Sequence, residues 1–239
     1  MTAAPPVTQS PARQWTVVGV LGELLITCGV LLLLFVAYQL WWTNVTAARA
    51  ADSAASQLRE QWSAPAPGDG QAPEEEYREP DLGRAFALMY IPRLSDKVWG
   101  TPVVEGVQPA DLASGIGHYP GTAMPGEVGN FAVAAHRATN GEPFRDIDRL
   151  EVGDRVYVET RDEWFVYELT RDQLVAPGDV WVIEPVPGDP GAEPTERLIT
   201  LTTCHPRWGH AQRWIWWGTL VDELDKDSGQ VPEAVEAGR

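Results

Sequence analysis

Three residues in this sequence carry the chemistry of acyl transfer. Cys204 ends the run Leu198-Ile199-Thr200-Leu201-Thr202-Thr203-Cys204. His136 ends Phe131-Ala132-Val133-Ala134-Ala135-His136, and Arg213 opens another apolar run nine positions after the cysteine. A thiol is a strong nucleophile once ionised, and an imidazole can protonate a departing amine. A guanidinium can hold the oxyanion of a tetrahedral intermediate. Together these are the parts needed to break and remake an amide. Each has a plainer reading as well: a buried core thiol, a hydrogen-bonded core imidazole, a surface ion-pair partner. His205 adjoins Cys204 and is the rival general acid, but neighbours on a strand point to opposite faces. His118 and His210 read as structural or exposed residues.

Groups so far apart in sequence meet only if strand ends bring them together. The stretch after Ala85 reads as short strands between turns. Phe86–Ile91 stops at Pro92, Thr101–Val107 follows, and Pro109–Ala113 fits one helical turn. Asn130–His136 is strand-like, and Asp146–Leu150 reads as a short helix. Asp154–Thr160 and Trp164–Leu169 form a hairpin across Arg161-Asp162-Glu163. Leu174–Pro190 contains Pro177, Pro185, Pro187 and Pro190, and reads as a long loop with short strands. Arg197–Cys204 and Arg213–Val221 are the last two strands, and Trp214, Trp216 and Trp217 should pack on both faces of the second. Many short strands at this spacing predict a mainly β fold, a closed or nearly closed barrel with short helices.

The rest of the chain bounds the setting. Of 239 residues, 18 are Lys or Arg and 34 are Asp or Glu, a net charge of −16. A nucleic-acid binder needs the opposite balance. Two cysteines, Cys28 and Cys204, exclude a disulfide scaffold and a Cys-based zinc site. Val17–Trp42 is apolar save for Glu23, and a bilayer core needs about 20 such residues. Trp15 and Trp41-Trp42 stand at its ends, where aromatic rings favour headgroups. The span is longer than the apolar part of a signal peptide, so it reads as an uncleaved transmembrane helix after a short N-terminus, residues 1–16. Arg13 on one side and Arg49 and Arg59 on the other leave its orientation undecided. Residues 43–82 read as a flexible linker: the Ala-rich Thr46–Ala55 can prolong a helix, Ala64–Gly70 breaks it, and Glu74-Glu75-Glu76 extends the chain. Residues 222–239 read as an acidic, disordered tail.

The sequence Thr200-Leu201-Thr202-Thr203-Cys204 followed by Arg213 resembles the TLxTC…R signature of the sortases. Gly117-His118-Tyr119-Pro120-Gly121-Thr122 and Gly129–Arg137 are similar to the stretches around that family's histidine. The likeness covers Ala85–Leu220 and is strongest for class E, the housekeeping type of high-GC Gram-positive bacteria. It implies an eight-stranded sortase barrel over residues 83–221, with Cys204 as nucleophile, His136 as general acid and base, and Arg213 stabilising the oxyanion. It implies a domain outside the cytoplasm, hence an N-in, C-out single-pass protein of the cell membrane with residues 1–16 cytoplasmic. The partners implied are surface proteins with a C-terminal LAXTG-like sorting signal and a cell-wall precursor or peptidoglycan amine. The loop Leu174–Arg197 should wall the substrate groove, with Val175, Val182 and Thr203 as lining residues. No cofactor and no metal are expected. Some sortases bind calcium with such a loop, but Asp179, Glu184, Asp189, Glu193 and Glu196 read here as solvated. The run Trp214-Ile215-Trp216-Trp217 is heavier than the family's usual aliphatic strand. A pilin-polymerising enzyme on the same fold and a non-catalytic membrane-tethered binding module are the alternatives.

Overall fold

The computed structural model describes residues 16–64 and 80–238. Trp15 and most of the Pro/Gly- and Glu-rich part of the expected linker lie outside the described residues. The chain divides into two compact units, Met1–Leu40 and Trp41–Arg239.

The first unit is built on helix α1, Val17–Ala37. Thr16 caps it, its hydroxyl accepting a hydrogen bond from the Gly19 N–H at 3.2 Å. Its 21 residues are long and apolar enough to cross a membrane, and none is buried within the protein. A π-helical turn, Tyr38–Trp42, follows.

In the second unit helix α2, Thr43–Ser63, precedes eight strands. These are β1 Ala85–Tyr90, β2 Trp99–Glu105, β3 Ile116–His118, β4 Gly129–Ala134, β5 Arg155–Glu159, β6 Glu163–Val175, β7 Arg197–His205 and β8 Gln212–Asp225. One helical turn, α3 Pro109–Leu112, lies between β2 and β3, and another, α4 Glu233–Glu236, near the end. The strands close into a barrel in the order β1-β2-β3-β4-β7-β8-β6-β5. This is the predicted eight-stranded closed barrel. Pairs β2/β3 and β4/β7 are parallel and the other six are antiparallel.

Alternation along the strands assigns the faces. Phe131 and Val133 of β4, Ile199 and Leu201 of β7 and Trp216 of β8 point inward and join Phe165 and Tyr167 of β6 in one buried core. Residues of the other parity therefore face out. Burial of Tyr167 pushes its phenol pKa well above the ordinary value.

Three expectations need correction. The segment 43–63, expected within a flexible linker, is the docked helix α2: Ala47, Ala55 and Leu58 are buried, and Trp62 packs beside them. Ala47, Ala51, Ala55, Leu58 and Trp62 recur at helical spacing, and the small alanines let the helix approach the sheet. The expected disordered tail is also ordered. Strand β8 runs on to Asp225, and Val235 is fully buried with Leu58, Leu88, Tyr90, Tyr157, Trp164 and Val166. Lys226 anchors the tail, donating to Glu159 Oε1 at 2.8 Å with its ammonium 4.5 Å from the Trp62 ring centre. Tyr90 donates to the other Glu159 oxygen, and burial followed by that carboxylate raises its pKa to about 12. Finally, the region after Leu174 holds no short strands. Strand β6 continues to Val175 and a single 3-10 turn, Val180–Ile183, follows.

Candidate active site

The three candidate residues lie in one row across adjacent strands. Cys204 on β7 is the cross-strand partner of Arg213 on β8. On the other side of β7, parallel β4 pairs Ala134 with Thr202. The pairing persists beyond β4, because Ala135 N–H donates to the Thr202 carbonyl at 3.1 Å. Continuing this register by two residues brings His136 level with Cys204. Neighbouring strands are about 4.8 Å apart, so the Cys204 backbone lies between those of His136 and Arg213, one strand spacing from each.

All three also share a face. Cys204 has the parity of Thr200 and Thr202, Arg213 that of Ile215 and Trp217, and His136 that of Asn130 and Ala134. Each projects from the outer surface of the barrel wall. Cys204 and His136 are half-buried, so neither is a core residue. Arg213 donates to the carbonyls of His210 and Gln212, and among the described residues it has no carboxylate partner. These observations speak against a fully buried core thiol at Cys204 and a surface ion pair at Arg213.

His136 is held from behind. Its carbonyl accepts from Phe144 N–H at 3.1 Å, and Phe144 is fully buried. Its Nε2 is buried, with no hydrogen-bond partner among the described residues. Burial lowers its pKa below the ordinary value, because desolvation disfavours the imidazolium. The loop that follows is strained. Thr139, Asn140 and Glu142 all have positive φ (64°, 49° and 47°), and Gly141 supplies a fourth at 83°. The three non-glycine residues cost about 1–3 kcal/mol each and persist where surrounding contacts impose them. Here Asn44 of α2 accepts from Gly141 N–H at 3.0 Å and donates to Glu142 at 3.2 Å. Glu142 also receives Arg207 at 3.0 Å from the β7–β8 loop.

The β6–β7 loop covers the same outer face. Asn130 Nδ2 donates to the Glu184 carbonyl at 3.0 Å, and Trp217 Nε1 to that of Val182 at 3.1 Å. Trp181 stacks on Trp217 with ring centres 5.8 Å apart, and the Arg171 guanidinium lies 4.1 Å from the same ring. The aromatic strand β8 thus divides its rings as expected, Trp214 and Trp216 inward, Trp217 outward. Val175, opposite Arg213 on β6, and Val182 are buried with Ile215 and Trp217 in a small cluster beneath the loop. They form the packed base of this wall. Asp179 ties the loop to itself, accepting from Ala176 N–H. Among the described residues no group of His, Cys, Asp or Glu could hold a metal ion.

Thr203 does not line the groove. It has the inward parity of Leu201, is 4% exposed, and donates to the Ala135 carbonyl at 2.7 Å. The outer-face threonine beside the thiol is Thr202, whose hydroxyl lies 3.1 Å from the Tyr119 hydroxyl. Strand alternation from Cys204 was enough to choose between them. Tyr119, Asn130 and Arg137, which lie within the two stretches similar to the family's histidine region, make contacts around this row that the sequence does not announce: Tyr119 to Thr202, Asn130 to the β6–β7 loop and Arg137 to His205. His118, as expected, is structural: it is fully buried, with Nδ1 2.6 Å from Glu105.

Comparisons with known proteins agree with this architecture. The sortase-domain family model matches residues 89–221. Sortase SrtE1 of Streptomyces coelicolor is 43% identical over 223 residues, which are 90% of this chain and 60% of that protein's length. Sortase SrtE2 of the same organism is 37% identical over 90% of this chain and 86% of its own. The solved structure of sortase E from Streptomyces avermitilis has a TM-score of 0.57 at 44% identity, over 65% of this chain and 99% of that one. SrtA sortase from Actinomyces oris gives 0.62 at 39% identity, over 66% and 90%. With the barrel, the matched domain and these relatives together, the chain belongs to the sortase family, and within it resembles the class E sortases.

Proposed function

We propose that this protein is a membrane-anchored cysteine transpeptidase that joins surface proteins to a cell-wall amine. The observation that carries the reading is the row His136–Cys204–Arg213 on one face of the barrel, with the thiol in the middle. In this reading the Cys204 thiolate attacks the carbonyl between Thr and Gly of an LAXTG-like signal. Arg213 holds the oxyanion, and with no carboxylate partner among the described residues its charge is available for that task. Imidazolium His136 protonates the departing glycine amine, giving a thioacyl enzyme. Neutral His136 then takes a proton from the incoming amine as it displaces the thiol, which regenerates the thiolate and restores the imidazolium. Burial of His136 favours its neutral form, which suits the second half-reaction at neutral pH.

A crystal structure of sortase E1 from Streptomyces coelicolor is described with a tripeptide in its active site, which supports a peptide substrate here. Helix α1 is the proposed anchor, N-in, with the barrel outside the cell. The chain covers 60% of the length of SrtE1, so that protein's activity comes to this one as a proposal. The test is mass spectrometry of the full chain in detergent with an LAXTG peptide and an amine. The expected products are a Cys204 adduct, then the peptide joined to the amine. Cys204→Ala should give neither. Cleavage by that variant would refute the mechanism.

A further inference from the structure

Each of the three candidate residues is followed by one that points to the other face: Arg137 after His136, His205 after Cys204, Trp214 after Arg213. These three meet. The Arg137 guanidinium donates through Nη1 to His205 Nδ1 at 2.9 Å. Its Cζ lies over the Trp214 ring, 5.0 Å from the ring centre. His205 in turn meets Trp214 edge-to-face, with ring centres 5.3 Å apart.

The cluster is anchored outside itself. Arg137 Nη2 donates to Asp148 Oδ1 at 2.9 Å, and Nε reaches the Arg145 carbonyl at 3.4 Å. Arg137 is 6% exposed. A guanidinium has no acceptor, so His205 must present an unprotonated Nδ1 to it. This imidazole is therefore committed to Arg137 and faces away from the thiol. A buried guanidinium that uses all three of its nitrogens and one face has little freedom.

From this geometry we infer that Arg137, His205 and Trp214 are positioning residues that lock the ends of β4, β7 and β8 in mutual register. They thereby fix the separations among His136, Cys204 and Arg213. The inference rests on the proposed transpeptidase reading for its assay. The ladder hydrogen bonds end near Thr202 on the β4 side, whereas the chemistry lies two residues farther on. Cys204 and Arg213 stay paired within the β7–β8 ladder, which runs on to His205 and Gln212, so the residue that needs a further tie is His136, which lies beyond the end of β4. The Arg137–His205 bond joins the residues next to the imidazole and the thiol, and stacking on Trp214 brings in the third strand. A displacement of about 1 Å between reacting groups can cost on the order of 100-fold in rate.

The experiment measures kcat and KM of the full chain in detergent on an LAXTG peptide, well below each variant's Tm. His205→Phe keeps the ring against Trp214 and removes the acceptor. Arg137→Gln removes the guanidinium, Arg137→Lys keeps its charge, and the Arg137→Gln/His205→Phe double variant closes a cycle. Expected are a fall in kcat of about 10- to 100-fold in either single variant and KM within about threefold. The double variant should be little worse than the worse single one, since both break the same tie. Arg137→Lys should recover part of the loss. Unchanged kcat in His205→Phe with a lowered Tm would reduce the cluster to a stability role and overturn the inference. So would a loss confined to KM, or full additivity in the double variant. An inactive parent protein would refute the transpeptidase reading instead.

Discussion

Helix α2 gives the sharpest test of where the folded domain begins. The perturbation compares two soluble fragments, one starting at residue 43 and one at residue 80. The second lacks α2 and so uncovers the surface formed by Leu88, Tyr90, Tyr157, Trp164 and Val166. Returning Leu58 to water costs about 1.5–3 kcal/mol, and the methyls of Ala47 and Ala55 about 0.8 kcal/mol each. The gross loss is about 3–5 kcal/mol, reduced by the chain entropy that the helix no longer gives up. A net destabilisation of about 2–4 kcal/mol is a large part of the 5–15 kcal/mol typical of a domain. At about 2–4 °C per kcal/mol, the shorter fragment should melt roughly 5–15 °C lower by circular dichroism. It should also turn over peptide more slowly below its Tm, because Asn44 no longer holds Gly141 and Glu142 in the strained loop after His136. Equal melting temperatures and equal turnover would show that α2 adds nothing to the domain, and would refute the reasoning.

Arg213→Ala should lower kcat about 100- to 1,000-fold, the usual loss of an oxyanion donor, and His136→Ala should be at least as damaging; near-wild-type turnover in either removes that residue from the mechanism. Burial depresses the His136 pKa, so the unfolded chain takes up that proton first as pH falls below the ordinary value of about 6.5. Stability should therefore decline as the pH drops below that point, and urea melts at pH 5 and pH 7.5 should show a smaller decline in His136→Gln. Thr203→Val leaves the Ala135 carbonyl without its donor and should cost about 1–3 kcal/mol in urea melts with KM unchanged. Thr202 is 3% exposed and its hydroxyl donates to the Val133 carbonyl, so Thr202→Val should carry a similar cost and in addition alter KM for peptide; an unchanged KM there, or an altered one in Thr203→Val, would contradict the face assignment.

Alternation, turn chemistry and the apolar span were legible in the sequence. Short runs of β-branched and aromatic residues between Pro and Gly breaks led to a mainly β barrel, and the family likeness to eight strands. The rule that put His205 on the face opposite Cys204 held. Applied one residue earlier, it would have put Thr203 inside and chosen Thr202. The stripe Ala47, Ala51, Ala55, Leu58, Trp62 was also present, but its alanines are too weakly apolar to announce burial. Ala85–Tyr90 is apolar on both faces, a sign that something covers its outer side, yet nothing in it names a helix some 30 residues upstream.

Residue types and local periods are properties of neighbouring positions, so the sequence by itself determined seven of the eight strands, the apolar helix and the identity of Cys204, His136 and Arg213 as candidates; the three-residue β3, Ile116–His118, is too short to show a period. The tertiary structure decided which strand lies beside which. Parallel pairing of β4 with β7 and antiparallel pairing of β7 with β8 set the thiol between imidazole and guanidinium. It also decided what covers each face: α2 and the tail over β1, β5 and β6, and the cluster of Arg137, His205 and Trp214 behind the site. Most of these contacts join residues tens of positions apart, so they cannot be read from local patterns, and the entropy of closing the intervening chain is offset only by the packing of the whole barrel.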